Sequence, residues 1–552
     1  MKLNLRLSPT SATTLFVLLV ILFIPWLGET LFNSKGEPRE AIVAMTMIDQ
    51  GNWILPVNYG GDIPYKPPFL AWLIAIFAYI FNGGVVNEFI SRLPSALAVI
   101  AMTMAGYRWA RRQRSETFAM VMALVTVTSA EVFRAAIACR LDMVLTAAIV
   151  IALYLFYDLL DRSCLHRGRK YFYIILLLTC AVLTKGPVGS LLPCFVAGIF
   201  YLLSGERFLP TLGRMLLIAI ASMAIPAVWY YAASLQGGQT FLDLAYEENI
   251  GRLTGTMSYE SHENPWWYNF MTLAVGMLPW TLLALLSLFA RKHLPRLRFK
   301  PAGLFMLTTF AVVVLFYCIP ASKRSVYLLP VYPAMAYGIA HIISLIASTG
   351  VMKGYAWLMA LIAFIAPIGV IVANCVDFGL AVAPVPFWCW LFALPPLVVA
   401  VGWFINRSDC VFFTLASTFA LFLFYVVTVQ PMVLEAQSDH KLLDRIEQAA
   451  PEGPVYSLRT DRLTRYYTLN FYLGDRMRVI DSFDDFGRLA PGAVMLFPEW
   501  ADTTGIGDRF DIDLLARRSC DNRRKIFMAV NRAAAPADSV ATNTLTAVTP
   551  IR

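Results

Sequence analysis

Charge is what this chain has least of. Only 15% of its 552 residues are Asp, Glu, Lys or Arg, against 58% hydrophobic residues, and the mean hydropathy is +0.63. A soluble domain carries about a quarter charged residues, so a soluble globular class is excluded. Cysteine is also sparse and scattered. Most of the nine lie in or beside apolar runs (Cys180, Cys194, Cys318, Cys389), Cys520 stands alone near the end, and no C-x-x-C or Cys/His cluster occurs. Neither a disulfide framework nor a structural zinc site is expected. A small-residue cleavage site is missing after the first apolar run, Ala12–Leu31, which reads as an anchoring helix rather than a signal peptide.

What fills the chain is a succession of apolar runs, each long enough for a bilayer core. They place spans near 12–31, 92–110, 116–133, 142–160, 171–185, 187–204, 213–232, 269–289, 302–318, 327–347, 353–373, 386–404 and 410–428, about thirteen helices. The net charge of +9 follows this topology and gives no reason to invoke nucleic acid. Lys2 and Arg6 precede the first span, and basic clusters recur at Arg108–Arg114, Arg162–Lys170, Arg207–Arg214 and Arg291–Lys300. With the N-terminus in the cytoplasm each cluster lands on a cytoplasmic loop, and the odd span count puts the C-terminus outside.

Two regions break the pattern. Residues 32–91 hold amphipathic segments: Pro38 suits a first helical turn with Glu37 at its positive end, and a second helix should start at Pro67–Pro68. From about Glu435 onward VYSLR, RVIDSF, AVMLF and KIFMAV read as short strands. The expected architecture is a polytopic α-helical membrane domain over residues 1–430, with an outer loop at 233–268. A small α/β domain over 431–535 and a disordered tail over 536–552 should follow.

The residues that carry chemistry fall on outer turns. They are G-E-P-R-E (Glu37, Arg39, Glu40) with Y-K-P-P (Tyr65, Lys66), Arg134 with C-R-L-D (Arg140, Asp142), T-K-G-P (Lys185), the loop with Y-E-E-N and His262, and S-K-R-S-V-Y (Lys323, Arg324, Tyr327). Each alone has an ordinary reading. Glu37 and Glu40 could be a solvated helix start, Arg140–Asp142 a helix-end ion pair, Lys185 a snorkelling lysine and His262 a surface histidine. Trp266–Tyr268 could be an interfacial belt, and Lys323–Arg324 headgroup contacts. Their shared side of the membrane argues for one site, because ionisable groups kept in so apolar a chain mark function.

In order along the chain, E-P-R-E-A (Glu37–Ala41), G-N-W-I-L-P (Gly51–Pro56), Y-K-P-P (Tyr65–Pro68), R-L-P-S-A (Arg92–Ala96), L-D-M (Leu141–Met143), T-K-G-P (Thr184–Pro187), P-W (Pro279–Trp280) and S-K-R…Y-L-L-P (Ser322–Pro330) form an ordered set. The set resembles the aminoarabinose transferase/protein O-mannosyltransferase group of GT-C glycosyltransferases over roughly residues 12–345. The resemblance implies an inverting transfer of a monosaccharide from a polyprenyl-phosphate donor to lipid A or another envelope glycan, glycolipid or protein, at the periplasmic face of a bacterial inner membrane. By position, Glu37 and Asp142 become the catalytic acids. Lys66, Arg324, Tyr327, Lys323 and Arg140 become the donor-phosphate ligands, and Arg39, Glu40, Tyr65, Lys185 and His262 line the cavity. Two positions depart from the group: Gly36 stands where its catalytic aspartate is usual, and Tyr65 where an acid usually precedes the lysine, with Asp62 nearby. No cofactor is demanded. A divalent ion is left open, since the acids and His262 could bind one although no ligand spacing requires it.

The chemistry agrees with that assignment. A departing lipid phosphate needs cationic donors, and an acceptor hydroxyl needs a carboxylate to orient or deprotonate it. A transporter or flippase for lipid-linked saccharides is the alternative from another class. It predicts inverted repeats and charges at the bilayer midplane rather than at span ends.

Overall fold

The computed structural model describes residues 11–34, 36–59, 63–64, 66–161, 166–251, 263–293, 300–320, 322–376, 383–436, 440–459, 467–503, 509–516 and 525–532. The chain divides into two compact units, Met1–Ser438 and Asp439–Arg552.

The first unit is helical. Its leading elements are α1 (Ser11–Phe23), α2 (Gly36–Asp49), α3 (Phe69–Asn82), α4 (Glu88–Gln113), α5 (Glu116–Val127), α6 (Ala130–Ala136), α7 (Leu141–Leu160), α8 (Arg167–Lys185), α9 (Val188–Leu203) and α10 (Phe208–Tyr246). Helices Pro301–Cys318, Tyr332–Ile346, Gly350–Cys375, Leu394–Ile405 and Cys410–Phe424 follow. Among the described residues eight helices are long and apolar enough to cross a bilayer, and ten if each of two bent pairs is one span. Three of the thirteen expected spans fall outside that set: α1 and α9 have 13 and 16 residues, and α8 carries Arg167, Arg169, Lys170 and Lys185. Leu216, Leu217, Ile220, Ile225 and Val228 stand exposed along α10, as suits a helix facing hydrocarbon. Several buried hydroxyls bond within their own helix, Thr46 to the Ile42 carbonyl and Thr414 to that of Cys410, which satisfies them without a partner from another segment.

Four departures from the expected spans have local causes. α1 ends at Phe23, eight residues early, with Pro25 just beyond it. The carbonyls of Leu27 and Thr30 accept from Arg92 Nη1 (2.8 and 2.7 Å) and that of Leu31 from Nη2 (3.3 Å) instead of closing a helix. The expected span 116–133 bends by 70° between α5 and α6. There Thr128 and Ser129 turn their hydroxyls back onto the Leu124 and Val125 carbonyls (2.6 and 2.7 Å), and the Ala130 N–H donates to Leu278 of another segment (3.1 Å). Tyr268–Gly276 and Trp280–Ala290 bend by 103° around Pro279. α10 runs past its expected end at 232, breaks at Gly238 (φ +56°), and carries the chain out to a wide turn at Glu247–Gly251.

The second unit is a five-stranded mixed sheet of order β2-β1-β3-β5-β4, with β1 Val455–Leu458, β2 Met477–Ile480, β3 Val494–Pro498, β4 Phe510–Ala516 and β5 Ile526–Asn531. β1 runs parallel to β2 and β3, while β5 is antiparallel to β3 and β4. Val494 and Leu496 face one core with Leu442, Ile446 and Leu469, and Met495 and Phe497 face another with Phe486 and Phe510, so β3 is covered on both sides. Four strands fall on the expected runs. β4 was not among them, because its F-D-I-D start places two strand-averse aspartates in the pattern.

Candidate active site

The site is built from the turns at one end of the helical unit. α2 begins at Gly36, so the Glu37 side chain stands in its first turn, where the helix end favours an anion. Glu37 Oε1 accepts from Arg92 Nε of α4 (3.0 Å) and from the Cys139 N–H (2.9 Å). Arg92 and Glu37 are 3% and 8% exposed at their side chains, a fully desolvated pair. Burial, reinforced by the carboxylates of Glu37 and Glu40, pushes the neighbouring Cys139 thiol well above its ordinary pKa, so it stays protonated. Next in sequence, Arg140 lies against the start of α2: a Cβ placed on Gly36 would stand 3.6 Å from its Nη2. Arg140 Nε is buried and has no hydrogen-bond partner among the described residues.

Asp142 opens α7, and its Oδ1 accepts from Lys185 Nζ at the end of α8. Arg140 and Arg324 lie within electrostatic reach of the same carboxylate. The Lys185 ammonium sits 4.2 Å from the centroid of the Tyr327 ring, a cation–π contact. Tyr327 in turn packs on Tyr317 at 5.5 Å. The turn after Lys185 works only with glycine. Gly186 has φ +88°, and a side chain there would collide with the Asn249 Oδ1. Beside Asn249, Glu248 accepts from Lys66 Nζ. Glu263 pairs with Ser322 in an isolated antiparallel bridge, and Asn264 Nδ2 donates to the Lys323 carbonyl (3.2 Å).

These contacts close a ring. The five segments singled out from sequence touch in turn: Glu37 to Cys139, Asp142 to Lys185, Lys185 to Tyr327, Gly186 to Asn249, Lys66 to Glu248, and Asn264 to Lys323. Not every candidate turns inward. Arg39 Nε bonds its neighbour Glu40 (3.0 Å), and the buried Lys323 donates its ammonium to the Pro320 carbonyl (2.6 Å). Tyr65, His262 and Asp62 lie outside the described residues. Among the described residues no three His, Cys, Asp or Glu side chains gather to hold a metal ion.

Sequence reading gave no role to Arg92, Glu248 or Glu131, which holds Arg134 at 2.6 and 2.9 Å. The signal for Arg92 was available: an arginine within a 26-residue span must be paired, and the acids at 37–40 were the supply.

A family model described as dolichyl-phosphate-mannose-protein mannosyltransferase matches residues 65–231. Undecaprenyl phosphate-α-4-amino-4-deoxy-L-arabinose arabinosyl transferase of Photorhabdus laumondii is 26% identical over 339 residues, 60% of this chain and 59% of that protein. The transferase of the same description from Pseudomonas aeruginosa is 26% identical over 308 residues, 55% and 54% of the two chains. The match thus spans little more than half the length of these curated relatives. In fold the agreement is wider. ArnT from Cupriavidus metallidurans, crystallised with undecaprenyl phosphate, superposes with a TM-score of 0.71 over 96% of this chain and 100% of that one, at 21% identity. Fold and turn cluster together define a multi-pass membrane protein of GT-C architecture. Within that class the chain is similar, over part of its length, to the protein mannosyltransferases and aminoarabinose transferases that its motifs resemble, and it shares the fold of ArnT.

Proposed function

We propose that the chain transfers a monosaccharide, with inversion, from an undecaprenyl-type phosphate donor to lipid A or another cell-envelope glycan at the periplasmic face of the inner membrane. In this reading the N-terminus is cytoplasmic, and residues 431–535 form a periplasmic domain. The observation that supports it is the ring itself, which brings Lys185 and Arg324 from distant turns, with the adjacent Arg140, around the carboxylate of Asp142, and sets Lys66 against Glu248 in the same ring.

The cations serve the leaving group. An acceptor oxygen attacks the anomeric carbon while the bond from that carbon to the phosphate oxygen breaks. The electron pair departs on the phosphate, where charge-assisted donors hold it. Arg140 Nε, buried and unbonded, is a donor available to such an oxygen. Tyr327 steers Lys185 through its ring face. A hydroxyl acceptor passes its proton to Asp142, whereas a phosphate acceptor arrives ionised and Asp142 orients it. Glu37 takes a different part from Asp142. Its carboxylate is occupied by Arg92 and the Cys139 amide, so it fixes the segment that presents Arg140 and Asp142.

The test uses the purified protein in detergent, with a synthetic polyprenyl-phosphate sugar and lipid A. Transfer without any vesicle is expected, which no flippase can produce. Asp142→Ala should lower turnover by about 10²–10⁴-fold with folding intact. Wild-type turnover by that variant removes Asp142 from the chemistry, and absence of transfer from any polyprenyl-phosphate donor removes the reading.

A further inference from the structure

The acids in and beside the ring differ in what carries them. Glu37, Asp142 and Glu131 each sit in the first turn of a helix of the bundle and meet Arg92, Lys185 and Arg134 respectively. Glu248 sits instead in the wide-turn segment Glu247–Gly251, beyond the break at Gly238. Its side chain is only 3% exposed, and Lys66 stands against it. Wide turns of this kind are an uncommon backbone choice, found often at functional sites. An acid this buried needs a cation beside it to stay ionised.

Lys66 therefore has two anions to serve: Glu248, and the donor phosphate assigned to the same ring. The charges along the reaction decide what that competition is for. A sugar-bearing lipid phosphate is a diester with one negative charge. The lipid phosphate left after transfer is a monoester carrying about −1.5 to −2. A site of cations alone would thus hold its product more tightly than its substrate. A carboxylate that competes for one of those cations corrects this imbalance.

We propose that Glu248 is an anionic place-holder for the donor phosphate, occupying Lys66 in the empty site, yielding it to the donor, and reclaiming it to expel the lipid phosphate. The proposal rests on the polyprenyl-phosphate reading above. It makes Glu248 a positioning residue that acts through Lys66 and does not touch the reacting atoms.

The experiment measures binding of undecaprenyl phosphate to the purified full chain, and its inhibition of transfer. Glu248→Gln keeps the shape and removes the charge. It should bind undecaprenyl phosphate roughly tenfold more tightly, with a matching fall in the product inhibition constant, a coupling of ordinary size. Lys66→Ala should bind more weakly, and adding Glu248→Gln to it should change nothing further. Glu248→Asp, one methylene shorter with the charge kept, should fall between wild type and Glu248→Gln, and it carries the test if the glutamine variant does not fold. Unchanged or weaker binding by a folded Glu248 variant overturns the proposal, as does tightening that persists without Lys66. Failure of the wild type to bind undecaprenyl phosphate at all would strike the polyprenyl-phosphate reading instead.

Discussion

α7 carries an aspartate at each end, and the two are set in opposite ways. Asp142 meets Lys185 inside the ring, where its neighbours come from turns spread along the chain. Asp158, about 24 Å away along the helix axis, takes Arg112 at 2.9 Å and Lys170 at 3.0 Å. Arg112 is 57% exposed, and the three residues line an open cavity of about 520 Å³ with Gln113, Tyr157 and Asp161. The pairing chemistry is the same at both ends, yet only one end is closed. Charges that meet across segments in a desolvated ring must be satisfied by one another, so each fixes the position of the rest. At the open rim the aspartate is as buried as Asp142, at 10% against 13% exposed, but its partner Arg112 is largely in water, so that pairing is worth less and its main consequence is topological.

Breaking the closed end should therefore cost most, and Arg92 is where to break it. Arg92→Ala strands the Glu37 carboxylate and frees the Leu27, Thr30 and Leu31 carbonyls. Thermal unfolding in detergent should show a loss of about 3–5 kcal/mol, the range for removing one partner of a buried pair. Arg92→Lys should recover only part of it, because an ammonium lacks the fork that reaches Glu37 and the carbonyls together. A loss below about 1 kcal/mol, the level of a surface pair, would erase the distinction between the two ends.

How far the sequence reaches differs between fold and site for the same reason. Span positions were largely legible because hydrocarbon demands long apolar runs, and ten of the thirteen expected spans meet a helix or bent pair long and apolar enough to cross, among the described residues. The ends were not, because α1 stops where Arg92, 61 to 65 residues away, takes its carbonyls, and α5 bends where Leu278 and Trp280 meet it. At the site, ionisable residues stood out against an apolar background, so the turns bearing Asp142, Lys185, Lys66 and Tyr327 could be singled out. Their partners could not. Lys66 meets Glu248 across 182 positions and Glu37 meets Cys139 across 102, separations that no local pattern encodes. Glu37 illustrates the limit: its place in a helix start was readable, but not that Arg92 occupies it.

Two smaller changes sharpen the contrast. Gly186→Ala forces a side chain into positive φ and against Asn249, so it should destabilise by about 1–3 kcal/mol and reduce transfer by misplacing Lys185. Gly205→Ala provides the control: its φ is +89°, but nothing lies within 4 Å, so it carries the backbone strain without the collision and should leave transfer intact. Equal loss of transfer in both would mean that strain alone, and not contact with the Asn249 segment, is what Gly186 avoids.

The least effect belongs to the open rim. Arg112→Ala removes the more exposed of two cations on Asp158 and leaves Lys170 at 3.0 Å to keep that carboxylate paired. Unfolding should shift by no more than about 0.5 kcal/mol, and by less still in high salt, because an exposed pair is screened. Transfer activity should be unchanged, since the substitution lies at the far end of α7 from Asp142. A loss of transfer without a loss of stability would show that the two ends of α7 communicate, and the ring could then no longer be treated as complete in itself.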